Sequence, residues 1–280
     1  MATDYSQFET DMERFFHNNN TLPDSVPNWL INIGIHPSDT ITNCRNMGSE
    51  SPNNKTDILV EFAKSKPLKI SVKLDNADYF GNWYTHQRIE DEFAGGCINK
   101  LFNETTNWAN NWATKPQASL FIGVSICFGK RSGETALDFE KVFSLDDIRV
   151  IVQGFDPDSI KSANALYIAS RSPNTFTELF NNLKPIDDAT LLKIASNFKI
   201  AMRPINPVTE GTNRGKQIYT KFVPYKKLTS VTKINSLDEL MKIGRFCILD
   251  IQGNDYKINH NHVIKDLLTN FNIRIPVKTK

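Results

Sequence analysis

Asn54-Lys55-Thr56-Asp57-Ile58-Leu59-Val60-Glu61-Phe62 and, after a short polar connection, Leu68-Lys69-Ile70-Ser71-Val72-Lys73 alternate apolar and polar side chains with the two-residue period of a strand. Ile58, Val60 and Phe62 on the first segment and Leu68, Ile70 and Val72 on the second make one apolar face. The connection Lys64-Ser65-Lys66-Pro67 is polar and carries a turn-favouring proline, so the two segments read as an antiparallel hairpin. A slip of one residue would turn one strand's apolar set outward, which leaves only even slips open. The register with the shortest loop sets Asp57 opposite Lys73, Leu59 opposite Ser71 and Glu61 opposite Lys69.

That register gathers a carboxylate, a hydroxyl and an ammonium on the face turned away from the apolar set, a combination suited to metal-assisted phosphodiester hydrolysis. Asp57 offers a hard oxygen to Mg²⁺, an ion that keeps several waters and takes one or two carboxylates from protein. Lys73 can hold the attacking water and offset charge on the scissile phosphate. A plain amphipathic surface hairpin with one cross-strand ion pair, worth under about 1 kcal/mol, carries the same short pattern.

The two segments resemble the PD-(D/E)XK nuclease superfamily, in which an Asp on one strand and an acid-x-Lys on the next form the site. More narrowly, Lys55-Thr56-Asp57 with Ser71-Val72-Lys73 is similar to type II restriction endonucleases that replace the second acid by a neutral residue. The resemblance rests on residues 55–75; Thr56 stands where the superfamily name has Pro, and Ser71 where it has Asp or Glu. It implies a restriction-endonuclease-like core, and Mg²⁺ held by Asp57 and the Val72 carbonyl, with Ser71 reaching it directly or through water. Lys73 would orient the nucleophilic water. It further implies sequence-specific cleavage of double-stranded DNA and a modification methyltransferase as genetic partner, with monomer and homodimer both open. A mismatch or repair nuclease of the same fold is one alternative. A non-catalytic DNA-binding protein with a decayed site is another, for which Ser71 is the best argument.

With 280 residues and 40% apolar side chains the chain can bury a full core, as one elaborated domain or two fused parts. The most apolar run, 118–128, is far shorter than the roughly 20 residues of a membrane span, and the N-terminus is polar and acidic rather than basic then apolar. Cys44, Cys97, Cys127 and Cys247 form no C-x-x-C pair and read as buried thiols in a reducing cytoplasm. Neither G-x-x-x-x-G-K-[ST] nor G-x-S-x-G occurs, which leaves ATP-driven translocation and serine ester hydrolysis without a candidate site. His260-Asn261-His262 lacks a neighbouring Cys or acid cluster and reads as structural.

Charge is unevenly spread. Residues 203–233 hold seven bases (Arg203, Arg214, Lys216, Lys221, Lys226, Lys227, Lys233) against Glu210, giving +6 there and −4 on the rest of a chain whose net charge is +2. A basic segment on an acidic body grips a polyanion along one face. Within it, residues 210–221 mix glycines, amides and two kinds of base. Arg suits the guanine edge and Asn or Gln the adenine edge, so Arg214, Lys216 and Gln217 are the expected base readers, and Arg203, Lys221, Lys226 and Lys227 further DNA contacts.

Helical spacing of Phe8, Met12, Phe15 and Phe16 predicts an N-terminal helix over 7–17, with Glu9 and Glu13 on its polar side; the resemblance implies that a glutamate from such a helix often lies near the metal, which leaves open whether Glu9 or Glu13 joins the site, with plain helix surface the favoured reading for both. Residues 78–112 read as two helical pieces broken at Gly95-Gly96, with Gln87 and Arg88 solvated. The run 118–128 is the expected next central strand, followed by strands at 148–152 and 165–169. Helices are expected at 175–183, 188–198, 236–243 and 263–271, with a strand at 245–251. The fold class is α/β (α+β), a mixed central sheet flanked by helices. Residues 1–170 would form the catalytic core and 171–280 a DNA-recognition part of the same unit.

Overall fold

The segments 58–62 and 68–74 lie antiparallel at the centre of a five-stranded sheet in the computed structural model, which describes residues 5–48, 54–75, 79–93, 95–130, 133–210 and 216–278. The fold is mixed α+β. Two compact units share the chain: Met1–Asp78, Glu92–Ala94 and Ser144–Ala195 form the first, and Tyr79–Asp91, Gly95–Phe143 and Ser196–Lys280 the second. The chain thus passes between units more than once, where the sequence suggests a single boundary after residue 170.

In the first unit, β1 (Ile41–Asn46), β2 (Ile58–Phe62), β3 (Leu68–Leu74), β7 (Ala165–Ala169) and β8 (Leu183–Pro185), numbered by position in the chain, form the sheet in that order. All neighbours are antiparallel except β3 and β7, which run parallel. The helix Tyr5–His17 buries Phe8, Met12, Phe15 and Phe16 against Ile58, Val60, Leu68, Ile70 and Val72, the apolar set expected from the alternation. Each such burial is worth roughly 1.5–3 kcal/mol.

The opposite face of the hairpin is also buried. Leu59, Lys69 and Ser71 are 0%, 5% and 2% exposed. Lys69 is held by the segment after the helix Leu145–Gln153: its Nζ donates to the carbonyls of Pro157 and Ser159 at 2.6 and 2.9 Å, and its backbone N–H to Asn164 Oδ1. Burial pushes this ammonium below the usual lysine range, against the partial support of Asp158 and Asp156.

Pairing of Ile58 with Ile70, Leu59 with Lys69 and Val60 with Leu68 sets Asp57 across from Ser71, two residues away from the register that the shortest loop would give. The parity is as expected and the slip is even. Its cause is the connection, which is pulled away from the hairpin. Glu61 and Phe62 pair with Asn43 and Ile41 on β1. Asp39 Oδ2 accepts the N–H groups of Lys64 and Ser65 at 3.1 and 2.6 Å, and Lys66 N–H reaches the Gly34 carbonyl at 2.9 Å.

Residues 148–152 are helical rather than a strand. Ile148, Val150 and Val152 alternate, but Ile148, Ile151 and Val152 are the buried set, at helical spacing. A capping box decides the matter: Ser144 Oγ accepts the Asp147 N–H, and the Asp147 carboxylate accepts the Ser144 N–H. This helix leads into β7, which therefore takes the place beside β3 that the sequence suggests for 118–128.

In the second unit, β5 (Gly123–Gly129) is the fully buried centre of another sheet, in which β4 (Tyr79–Trp83) pairs with β5 and the order is β12 (Gly244–Cys247), β10 (Thr220–Pro224), β5, β9 (Lys199–Pro204), β6 (Ala136–Asp138). Tyr79–Trp83 is thus a strand where a helix is expected. A short parallel pair, β11 (Thr232–Lys233) with β13 (Ile273–Arg274), completes the strands among the described residues. The helix Cys97–Trp112 starts after Gly96, whose φ of +87° lies in the left-handed region that glycine adopts without strain. It buries Leu101, Phe102 and Ala109, and its Asn110 brackets β12 by donating to the Phe246 carbonyl and accepting the Phe246 N–H. No helix among the described residues is long and apolar enough to cross a membrane.

Candidate active site

Asp57 is the last residue before β2, and its backbone N–H donates to the Ile70 carbonyl at 2.9 Å. Its Oδ2 accepts the Val72 N–H at 2.6 Å and the Ser71 hydroxyl at 3.2 Å, and lies 3.6 Å from Lys73 Nζ. Three of the four residues named from the sequence therefore converge on one carboxylate oxygen of the fourth, Asp57. Val72 reaches Asp57 through its backbone N–H. Oδ1 accepts no hydrogen bond from the described residues. With side chains 16% and 26% exposed, Asp57 and Lys73 remain open to solvent on one side.

A second carboxylate belongs here. Glu9, from the helix Tyr5–His17, is half-buried; its Oε2 accepts from Asn46 Nδ2 at 3.1 Å, and a Cβ on Gly48 would stand 3.0 Å from the same oxygen. Burial raises its pKa first, the charge of Asp57 raises it further, and Asn46 and Lys73 offset part of this. Glu9 Oε1, like Asp57 Oδ1, accepts no hydrogen bond from the described residues, so these two carboxylates could offer oxygens to a hard divalent cation, while no group of three or more such side chains gathers among the described residues. The sequence leaves Glu9 and Glu13 equivalent; the signal that singles out Glu9 is its place beside Phe8 and Met12, at the margin of the buried stripe. Glu13, one turn on, lies 3.7 Å from His17 instead.

Beside the site, Lys55 Nζ meets Glu92 Oε2 at 2.5 Å, with side chains 14% and 1% exposed. The Lys55 and Thr56 N–H groups both donate to the Lys161 carbonyl. Thr56 is fully buried.

The expected DNA-contacting residues lie in the second unit, in different settings. Arg203, on β9 opposite Ser125, is half-buried. Arg214 lies outside the described residues. Gln217 Oε1 accepts the His86 N–H at 2.6 Å, and Lys221 Nζ meets Asp255 Oδ1 at 2.5 Å, so both take part in the packing of their own unit. Lys216 is half-buried; Lys226 and Lys227 are exposed. His86 is buried, its Nε2 2.7 Å from the Ile218 carbonyl and its Nδ1 accepting the Lys257 N–H, which is the neutral tautomer; burial lowers its pKa. Gln87 joins Asp91 and Tyr256, and Arg88 lies over the Tyr84 ring at 4.2 Å. His260 and His262 fall in the first turn of the helix His260–Phe271, which Asn259 caps together with His262.

No protein-family model matches the chain, and no curated protein matches it. The functional reading therefore stands on the residues and their geometry.

Proposed function

We propose that the chain is a Mg²⁺-dependent endonuclease of restriction type that cuts double-stranded DNA at a specific sequence, partnered by a modification methyltransferase protecting the same site. The observation that carries this reading is the set Glu9, Asp57 and Lys73: two carboxylates with raised mutual repulsion and one ammonium, held on a helix and two adjacent strands. The order of elements supports it. A restriction-endonuclease-like core, as the resemblance implies, needs an N-terminal helix, a hairpin carrying the site and a crossover helix into a further strand. Here these are Tyr5–His17, β2 and β3, Leu145–Gln153 and β7.

A divalent cation bound by Asp57 and Glu9 would supply Lewis-acid polarisation of the phosphate and a more acidic water. The protein's own contribution is positional. Val72 N–H and Ser71 Oγ fix the Asp57 carboxylate from the strand side, so that its other oxygen is presented outward. Lys73 carries the positive charge that orients a nucleophilic water and offsets charge developing on the phosphate. Ser71, bonded to Asp57, takes the part of an organiser of the carboxylate in place of a second acid.

The deciding experiment is incubation of the full chain with long unmethylated DNA and Mg²⁺. Discrete fragments are the expected result. A smear would replace the reading by a nonspecific nuclease, and intact DNA with retained binding would favour a DNA-binding protein without catalysis.

A further inference from the structure

On the second unit, the outer face of the β10–β12 pair carries Arg245 exposed beside half-exposed Val223, while Lys221 on the same face is held by Asp255. Val223 stands opposite Arg245 and Lys221 opposite Cys247, while Phe222 and Phe246, between them, fill the buried face. The alternation continues to Tyr225, anchored by its N–H to the Ile243 carbonyl at 2.8 Å and yet 66% exposed. Arg245 is exposed and makes no side-chain hydrogen bond or ion pair among the described residues. Lys226 and Lys227 follow Tyr225 in the same state.

Charge around this face is one-sided. Six cationic side chains lie between residues 221 and 245 against Asp238 and Glu239, and Glu239 is engaged by the Asn235 N–H at 2.8 Å. Among the described residues, only Lys221 of the outer cations is matched, by Asp255. An aromatic ring left in water beside uncompensated cations fits a partner with regularly spaced anions and flat apolar faces. Nucleic acid has both: phosphates for the cations and a sugar or base for the ring. A merely acidic partner would satisfy the lysines and leave the ring unused.

We infer that Tyr225 and Arg245, with Lys226 and Lys227, form a nucleic-acid contact surface, the cations on phosphates and the Tyr225 ring packed against a sugar or base. This rests on the DNA reading of the preceding section and adds to it two residues, one of them, Arg245, outside the basic segment 203–233. Being solvent-exposed, all four can be changed with little effect on folding.

The test is binding of the full chain to a labelled mixed-sequence DNA duplex, followed by fluorescence anisotropy in chelator over a range of salt, so that cleavage plays no part. Tyr225→Ala should weaken binding about tenfold with an unchanged salt slope, and Tyr225→Phe should bind within about twofold of wild type. Arg245→Ala and Lys226→Ala should each weaken binding and reduce the slope by about 0.9, one phosphate contact apiece. Should the alanine variant melt early, Tyr225→Leu, apolar but without the flat ring, must show the same loss. Variants that match wild type in affinity and slope would overturn the surface, while Mg²⁺-dependent cutting would still judge the hairpin separately. Equal competition by polyglutamate would overturn it as mere charge attraction, and failure of the wild type to bind DNA would remove both this surface and the DNA reading.

Discussion

Ser71 donates its hydroxyl at 3.2 Å to the same Asp57 oxygen that receives the Val72 N–H and faces Lys73. A hydroxyl so placed serves the neighbouring carboxylate. Ser71→Ala removes one of three contacts to that oxygen, a loss of about 1 kcal/mol, and should slow cleavage about fivefold. Ser71→Asp should retain or raise activity, because it restores the second acid. A folded, inert Ser71→Asp beside a fully active Ser71→Ala would contradict the equivalence of this position with the superfamily's second acid.

Asp57→Asn and Lys73→Ala act on the chemistry itself. Each should lower the cleavage rate by at least about a hundredfold while leaving duplex affinity within about threefold, since neither touches a base edge. Near-normal cutting by Asp57→Asn would dismiss the site.

Glu9 gives a pH signature. A carboxyl whose pKa is raised in the folded state holds its proton more tightly folded than unfolded, so stability falls as pH rises from the ordinary glutamate range through the folded value, and the penalty is complete above it. Glu9→Gln should therefore unfold at higher denaturant than wild type at neutral pH, with the difference vanishing below the ordinary glutamate range. Added Mg²⁺ should stabilise wild type more than Glu9→Gln. Denaturant titrations with and without the ion check both statements; identical curves for the two proteins would exclude Glu9 from the site.

Lys69→Met leaves the Pro157 and Ser159 carbonyls without their donor in a buried place. We expect a loss of about 2–4 kcal/mol by chemical denaturation. Because the folded pKa of Lys69 is depressed, the unfolded chain binds its proton more tightly, and wild-type stability from this residue should grow as pH climbs from the folded value toward the free-lysine range. A flat difference between wild type and Lys69→Met across alkaline pH would refute the burial assignment.

Gln217→Ala should behave as a packing change rather than a loss of base reading. Its carbonyl caps the His86 N–H, so the substitution should cost about 1 kcal/mol of stability and weaken cognate and single-base-variant sites by the same factor. Selective loss at one base position in a competition assay would return Gln217 to the recognition surface.

How much of this was legible in the sequence depends on how local the determining interactions are. The hairpin, its apolar face and the parity of its register follow from a two-residue period, whereas the choice that sets Ser71 rather than Lys73 across from Asp57 depends on contacts made by the connection. Helix starts announced by a side chain, such as Thr175 and Asp187, were legible for the same reason. The neighbour of β3 was not: 118–128 and 165–169 are both apolar and strand-like, and which one pairs is settled by a helix start at Ser144 far along the chain. Glu9 was visible only as one of two acids on its helix, because the partners that set it apart from Glu13, Asn46 and Asp57, come from other elements. The basic segment was visible as charge, but charge alone does not tell Lys221, held by Asp255, from Lys226, which is exposed.

Asp39 bears on the chemistry without approaching it. The apolar alternation tolerates two zippings of β2 on β3, one with Ser71 and one with Lys73 across from Asp57, and both keep every core side chain inward. Which one the chain adopts is selected at the far end of the hairpin, where the Asp39 carboxylate clasps the N–H groups of Lys64 and Ser65. The hydroxyl that meets Asp57 Oδ2 thus owes its position to a carboxylate at the opposite end of the strands, and Asp39 is in effect the latch that decides which polar neighbour Asp57 receives.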